Sequence, residues 1–406
     1  MTATTARRPS GVETALLMIM LLELMLLGSG RIAQLGPLTL RMWLYVAGLG
    51  YATLLVLQRG RLHREVVLFL LGFLAITALS SLVGLLNDVP IPDLLEDVKP
   101  LLFFLSLLFF DIAIVDLRQV HRVANLVRFS AVVLAVGYLV GIALVVLRVL
   151  PFRVVYEVLS QRSEFFFRGD SGVFYKGFLY LGVGFCFFVV GGWRSKLVSG
   201  LLFATIVLTL TRGMLLTAVV VLGVSVLLER RSALGLPLYI ATLVAAPALA
   251  WPWLARAFAD RAQSDAMRLW DVRVVEQSTT WLSLFVGHGL GTAVGQRERI
   301  EASYLEILHQ QGLLGLLFWL SVAAVLTRDF VRAARAGREV MARPFFLAGL
   351  FVYLESATNP YLTNPIGMSM VLVSLVVLKL LGTMPPEPLE QPALTSQMEP
   401  VLGARV

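Results

Sequence analysis

The sequence predicts an all-α, polytopic integral membrane protein: about twelve transmembrane helices and two longer external loops. Three observations carry that prediction. The first is composition. Of 406 residues, 58% are hydrophobic and only 15% charged, and mean hydropathy is +0.82. A soluble domain is nearer half apolar and a quarter charged, so an ordinary cytosolic enzyme and a disordered chain are both excluded. The second is the recurrence of apolar runs of about 20 residues, the length a helix needs to cross a bilayer. The third is the placing of charge. The net charge is 34 − 26 = +8, and a basic excess in a membrane protein gathers in cytoplasmic loops, which leaves no call for nucleic-acid binding.

The elements follow in order. The first apolar segment, 13–29, comes after Arg7 and Arg8 and resembles a signal peptide in outline. It contains Glu23, however, and no small-residue cleavage site follows, so it is a retained span. Further segments are 37–57, 66–86, 98–116, 128–149 and 172–191. The next two, 196–211 and 213–229, are short and separated by Thr211-Arg212-Gly213. Segments 234–251, 301–326, 344–358 and 366–383 complete a single transmembrane domain over 1–383. From 384 the chain is rich in proline (Pro385, Pro386, Pro388, Pro392) and is expected to be a disordered cytoplasmic tail.

Alternate connections carry the cations: Arg59, Arg61 and Arg64, then Arg118 and Arg122, and later Arg328, Arg332 and Arg335. These fall on one side if both termini are cytoplasmic. The other side receives the acidic stretch with Asp88, Asp93, Glu96 and Asp97, and the two long loops 150–171 and 252–300. Arg31 and Arg41 flank a short external loop as interfacial anchors. The lone Cys186 excludes an intramolecular disulfide and any cysteine-ligated metal or iron–sulfur centre. No cluster has zinc-ligand spacing, so neither metal nor cofactor is expected.

Positive charge on the external side runs against this bias. Arg212 is the sharpest case, because it sits between two apolar runs, where an arginine is costly unless it faces a polar cavity or a partner. Snorkelling at a helix end is the other account. Residues 258–277 predict an external helix with Arg261, Asp265 and Arg268 along one face; Asp265–Arg268 and Arg268–Asp271 also have the spacing of plain surface ion pairs. In the loop 161–176, Arg162 and Arg168 flank the aromatic run Phe165-Phe166-Phe167. Guanidinium forks suit phosphate oxygens and aromatic rings stack on sugars, although an aromatic belt at the headgroups has the same composition.

Glu301 opens the span 301–326. Its carboxylate at the outer mouth suits a proton acceptor, or equally a favourable charge at a helix N-terminus. Glu306, five positions on, lies on a different face, and Glu306 and His309 (i, i+3) are expected to share a hydrogen bond. Tyr304 joins the substrate-binding candidates beside Glu301. His288 lies in Gly287-His288-Gly289-Leu290-Gly291. With no preceding strand and no Lys-Ser/Thr after it, this run is a tight turn rather than a nucleotide loop.

These pieces occur in a telling order: Thr211-Arg212-Gly213 at a span junction, Arg268-Leu269-Trp270, the Gly287–Gly291 run, then Glu301-Ala302 and Gly312-Leu313-Leu314-Gly315, with Asp97-Val98-Lys99-Pro100 far upstream. Together they resemble the O-antigen ligase and Wzy-type polymerase superfamily, membrane glycosyltransferases with a GT-C-like fold. The resemblance implies transfer of a glycan from a polyprenyl (undecaprenyl) pyrophosphate carrier to a glycan or lipid acceptor at the outer face of the bacterial inner membrane. It implies that Arg212 and Arg268 grip the pyrophosphate, with Arg162, Arg168 and His288 as further substrate contacts, and that Glu301 is the catalytic base. The ligase pattern has His-Asn where this chain has Glu301-Ala302, which suits a polymerase better than a lipid A–core ligase. On composition alone, a transporter or flippase of an anionic lipid-linked glycan, or a scaffold for polysaccharide export, also fits. A transporter calls for polar residues at the midplane and for internal repeats. Here the cations gather on external loops and no repeat is visible.

Overall fold

A computed structural model describes residues 9–28, 34–35, 38–59, 63–160, 165–168, 172–229, 262–295 and 300–384. The first helix, α1 (Gly11–Leu26), starts at a capping box in which the Ser10 hydroxyl accepts from the Glu13 amide and the Ser10 amide donates to the Glu13 carboxylate, both at 3.1 Å. Glu23 is tolerated in this apolar helix because it has a partner. Arg41, at the start of α2 (Leu40–Arg59), forks onto its two oxygens at 3.0 and 3.1 Å and also donates to the Gly28 carbonyl. The side chains are 8% and 2% exposed. Arg41 is thus a buried counter-ion rather than the interfacial anchor expected, and Arg31 lies outside the described residues.

The helix α3 (Arg64–Leu86) is long and unbroken, but the segment 98–116 does not form one helix. It is divided among α4 (Ile91–Leu101), a 3-10 turn over Leu102–Leu105 and α5 (Ser106–Ala113). Pro100 lacks the amide that would continue the ladder, and the tighter turn follows it. Asp116 caps α6 (Leu117–Val146), accepting from the Gln119 amide at 2.7 Å. A short helix α7 (Phe152–Leu159) precedes a hairpin of β1 (Phe165–Arg168) and β2 (Gly172–Tyr175), antiparallel with Phe165 opposite Tyr175. A second two-stranded ribbon pairs Gln34–Leu35 with Leu38–Thr39. These two small ribbons are additions to the all-helical expectation. Then come α8 (Leu179–Val189), α9 (Trp193–Leu208), α10 (Arg212–Leu228), α11 (Ala262–Ser278), α12 (Trp281–Val286), α13 (Ser303–Arg335), α14 (Glu339–Glu355) and α15 (Pro365–Thr383).

Each apolar segment read from the sequence overlaps described helix except 234–251, which lies outside the described residues; 172–191 opens as the strand β2 before α8 begins. Among the described residues, five helices are long and apolar enough to cross a bilayer: α2, α3, α6, α13 and α15. They divide by burial. The apolar stretch of α15 is 78% buried, against 22% in each of α2, α3 and α6. So α15 is the axis of the bundle, packed by α13, α14 and α5, while α2, α3 and α6 turn apolar side chains such as Leu54, Leu71 and Val140 outward, as a lipid-facing helix does. Small residues let the inner helices close up. The position a Cβ would take on Gly182 of α8 is filled by the Phe351 ring of α14.

One end of the bundle is basic and self-paired. Arg328 of α13 lies 2.8 Å from Asp329 and 3.1 Å from Glu65 of α3, and Asp111 of α5 is flanked by His63 at 2.7 Å and Lys379 at 3.6 Å. These contacts tie α3, α5, α13 and α15 together at that end. Arg212, Arg268 and Glu301 lie at the opposite end, near the start of α13.

Candidate functional site

The site grows out of the junction between α9 and α10. The helix α9 stops at Leu208, and Leu210 adopts a left-handed φ of +53°. A leucine there is strained, since its Cβ crowds the following carbonyl oxygen. The turn is braced by the Thr209 hydroxyl, which donates to the Ile206 carbonyl at 2.7 Å and lies 3.2 Å from the Thr211 hydroxyl. This places Arg212 as the first residue of α10, with its side chain clear of the apolar run that follows.

Arg212 meets Asp265 in the first turn of α11. Its Nη1 and Nη2 donate to the two carboxylate oxygens at 2.9 and 2.5 Å. Three residues on, on the same face of α11, Nη2 of Arg268 lies 3.7 Å from Glu301. So Arg212, Asp265, Arg268 and Glu301 form an alternating chain of charge from α10, across one turn of α11, to the residue two before α13. None of the four side chains is sealed off: they are 34%, 48%, 39% and 52% exposed in that order. The Nε of Arg268 is shielded from solvent and has no hydrogen-bond partner among the described residues.

Both halves of this chain are fixed by the turn between α14 and α15. Gly213 lies against Thr358 and Glu355, where a Cβ would collide with the Thr358 hydroxyl. Glu355 is fully buried, accepting from Thr217 of α10 at 3.1 Å and from the Asn359 amide group at 2.7 Å. On the other half, the Ser303 amide donates to the Ser356 carbonyl and its hydroxyl to the Asn359 carbonyl, each at 3.0 Å. The segment that positions Arg212 therefore also positions the start of α13 beside Glu301.

The Gly287–Gly291 run is a structural knot. Its amides are engaged: His288 donates to the His309 carbonyl (2.7 Å), Gly289 to that of Gln310 (3.1 Å), Leu290 to that of Ser80 (3.0 Å) and Gly291 to the Asp97 carboxylate (2.8 Å). Asp97 also accepts from the Gln310 side chain at 2.7 Å. Gly289 has φ +97° and its Cβ position is occupied by the Gly84 backbone, so this close approach of loop to helix requires glycine. No cradle of spare amides is left for a phosphate. The motif pieces around Asp97, Gly287–Gly291 and Gly312 thus converge on one point of packing.

The remaining predicted residues fall as follows. The His288 ring is half-buried, its nitrogens 3.0 and 3.2 Å from the Ser278 and His309 carbonyls, and it stacks on the His309 ring at 4.5 Å. The Tyr304 hydroxyl donates to the Tyr353 carbonyl at 2.6 Å and joins α13 to α14. Arg168 lies on β1, paired in register with Gly172; Arg162 and Arg261 lie outside the described residues. The hydrogen bond expected between Glu306 and His309 is not formed. Glu306 is buried and accepts from the Thr363 hydroxyl at 2.8 Å, while His309 turns to His288. Sequence reasoning missed the tie from Asp265 to Arg212 and the buried Glu355 frame. For Glu355 a signal existed, a carboxylate near the end of an apolar segment.

The chain is similar to an O-antigen polymerase. That relative, from Shigella flexneri, is 29% identical over 358 residues, which span 86% of this chain and 90% of the relative. No protein-family model matches the chain.

Proposed function

We propose that the chain is a membrane glycosyltransferase of the O-antigen polymerase type. It joins glycan repeat units carried on polyprenyl (undecaprenyl) pyrophosphate, at the external face of the bacterial inner membrane, with both termini cytoplasmic. The observation that carries this reading is the pair of accessible arginines, Arg212 and Arg268, joined through a single turn of α11 beside the accessible carboxylate of Glu301. The near full-length similarity to an O-antigen polymerase supports it.

In this reading an acceptor sugar hydroxyl attacks the anomeric carbon of the donor glycan. The new glycosidic C–O bond forms as the bond to the carrier pyrophosphate breaks, and the pyrophosphate leaves with the bonding electrons. The proton of the attacking hydroxyl passes to Glu301. Arg212 and Arg268 stabilise the charge that builds on the departing pyrophosphate, a task fixed cations perform without reorganising during the reaction. Arginine provides that charge directly, so the chemistry assigns no step to a metal or cofactor. In the same reading Arg162 and Arg168 serve as further donor contacts. The partners are the lipid-linked donor, a glycan or lipid acceptor and the surrounding membrane lipids, with no role for nucleic acid.

The test is reconstitution of the full chain in liposomes with a polyprenyl-pyrophosphate-linked repeat unit. A ladder of lengthening lipid-linked products is expected. Transfer only to an added lipid acceptor would make the protein a ligase instead, and no transfer to either acceptor would overturn the proposal.

A further inference from the structure

We propose that Asp265 is a positioning residue that occupies the Arg212 fork in place of the donor phosphate and gives it up when the donor binds. The inference rests on the reading of Arg212 as a diphosphate ligand. Three observations carry it. The first is geometric. The two carboxylate oxygens of Asp265 sit on Nη1 and Nη2 at 2.9 and 2.5 Å, the same two-pronged contact that two oxygens of a phosphate make with a guanidinium. A ligand using that fork has to displace Asp265.

The second is accessibility. The Arg41–Glu23 pair is 8% and 2% exposed and is part of the core. Arg212 and Asp265 are 34% and 48% exposed, so both ends of the pair are reachable and each is rehydrated when it opens. Such exposed pairs carry little net weight, whereas a diphosphate brings more charge and more acceptor oxygens to the same fork.

The third is the contrast between the two supports. Arg212 is held through the backbone at the start of α10, with Gly213 seated against Thr358 and Glu355, and does not depend on Asp265 for its place. The helix α11 stands apart from the main core: Leu269 and Val272 are 60% and 49% exposed, and Val275 packs into a small separate cluster with Val294 and Ile300. The carboxylate can withdraw while the arginine stays. Its sequence neighbour across one turn, Arg268, already has a shielded Nε with no partner among the described residues.

The experiment measures binding of inorganic pyrophosphate and of farnesyl diphosphate to the purified full chain in detergent, for the wild type, Asp265→Asn, Asp265→Glu and Arg212→Ala. Removing the competing carboxylate is expected to tighten binding of both probes about two- to fivefold, the weight of an exposed pair expressed as affinity. Asp265→Glu keeps the competitor and is expected to bind as the wild type does; Arg212→Ala is expected to lose binding. A purely supporting Asp265 moves the constant the other way, so weaker or unchanged binding by Asp265→Asn overturns the proposal. Should Asp265→Asn not fold, Asp265→Ser is the companion, and failure of both to fold marks a structural residue and overturns it too. If the wild type binds neither probe, the diphosphate reading of Arg212 has failed along with this one; if it binds and Asp265→Asn binds more weakly, only the present inference falls.

Discussion

At positions 212 and 268 the choice of arginine has a chemical consequence. A guanidinium holds two phosphate oxygens in a fixed plane, whereas an ammonium offers a point charge on a flexible stem. Arg212→Lys and Arg268→Lys are each expected to lower kcat/KM by about a hundredfold, the usual cost of losing one preorganised donor to developing charge. Steady-state transfer assays check this, and wild-type turnover in either variant would argue against a forked contact there. Glu301 separates by a different substitution. Glu301→Gln keeps size and polarity and removes the proton acceptor, so transfer is expected to slow by about 10²–10⁴-fold while the donor still binds. A carboxylate serving only the start of α13 would contribute about 0.3–1 kcal/mol through the helix dipole, and its loss would show in thermal stability with turnover intact. Partial recovery in Glu301→His would support proton transfer at that position. The three residues were legible in the sequence for different reasons: Arg212 because it interrupts apolar segments, Arg268 and Glu301 through motif order. Asp265 was visible only as a member of a helix face. Its bond to Arg212 spans 53 positions (265 − 212), and no local periodicity encodes a contact of that separation.

At the scale of elements, helix breaks do the positioning. The helix α13 is interrupted at Gly312, with φ +64° and ψ −161°, where a Cβ would meet the carbonyl of Phe285 in α12. The sequence offers Gly312 and Gly315 as small residues for close helix approach; α12 comes close at Gly312, whereas the atoms nearest Gly315 are those of Gln311 and Ile307 in α13 itself. What the pattern does not show is that the chain leaves helical geometry, since a glycine in an apolar run looks the same whether it packs or breaks. Gly312→Ala adds both a left-handed alanine and an overlap with backbone, and is expected to destabilise the protein by about 2–4 kcal/mol. Thermal unfolding in detergent measures it; a variant as stable as the wild type would mean that α13 can straighten. Pro100 was equally visible, but hydropathy alone joined α4 to α5 into one span. The aromatic run Phe165-Phe166-Phe167 suggested an interfacial belt. It forms a strand because its partner, Gly172–Tyr175, also favours extended backbone.

The molecule as a whole has one basic, self-paired end and one end where Arg212, Arg268 and Glu301 collect. Cationic loops are retained on the cytoplasmic side during insertion, so the basic end carrying Arg328 and Arg332 is expected inside and α11 outside. The fold-level bias was plain in the sequence because charge per loop survives any error in span boundaries. The number of crossings is less legible, since short helices such as α8 and α10 gain their place from packing rather than from length. Cys186 makes the orientation testable. It is fully buried, so it is expected to resist a membrane-impermeant maleimide and leave a silent background. Two reporters, each adding one cysteine, then sample the ends: Glu276→Cys on the exposed side of α11 and Val340→Cys, at a site 73% exposed beside the basic end. In intact spheroplasts, Glu276→Cys is expected to label and Val340→Cys to stay unlabelled until the membrane is opened. The reverse pattern would put Arg212 and Arg268 on the cytoplasmic side, where no externally assembled glycan could reach them, and the polymerase proposal would fall with it. Labelling of both reporters in intact spheroplasts would mean that an even number of crossings separates α11 from the start of α14, and the span count, but not the Arg212–Asp265 and Arg268–Glu301 pairs, would have to change.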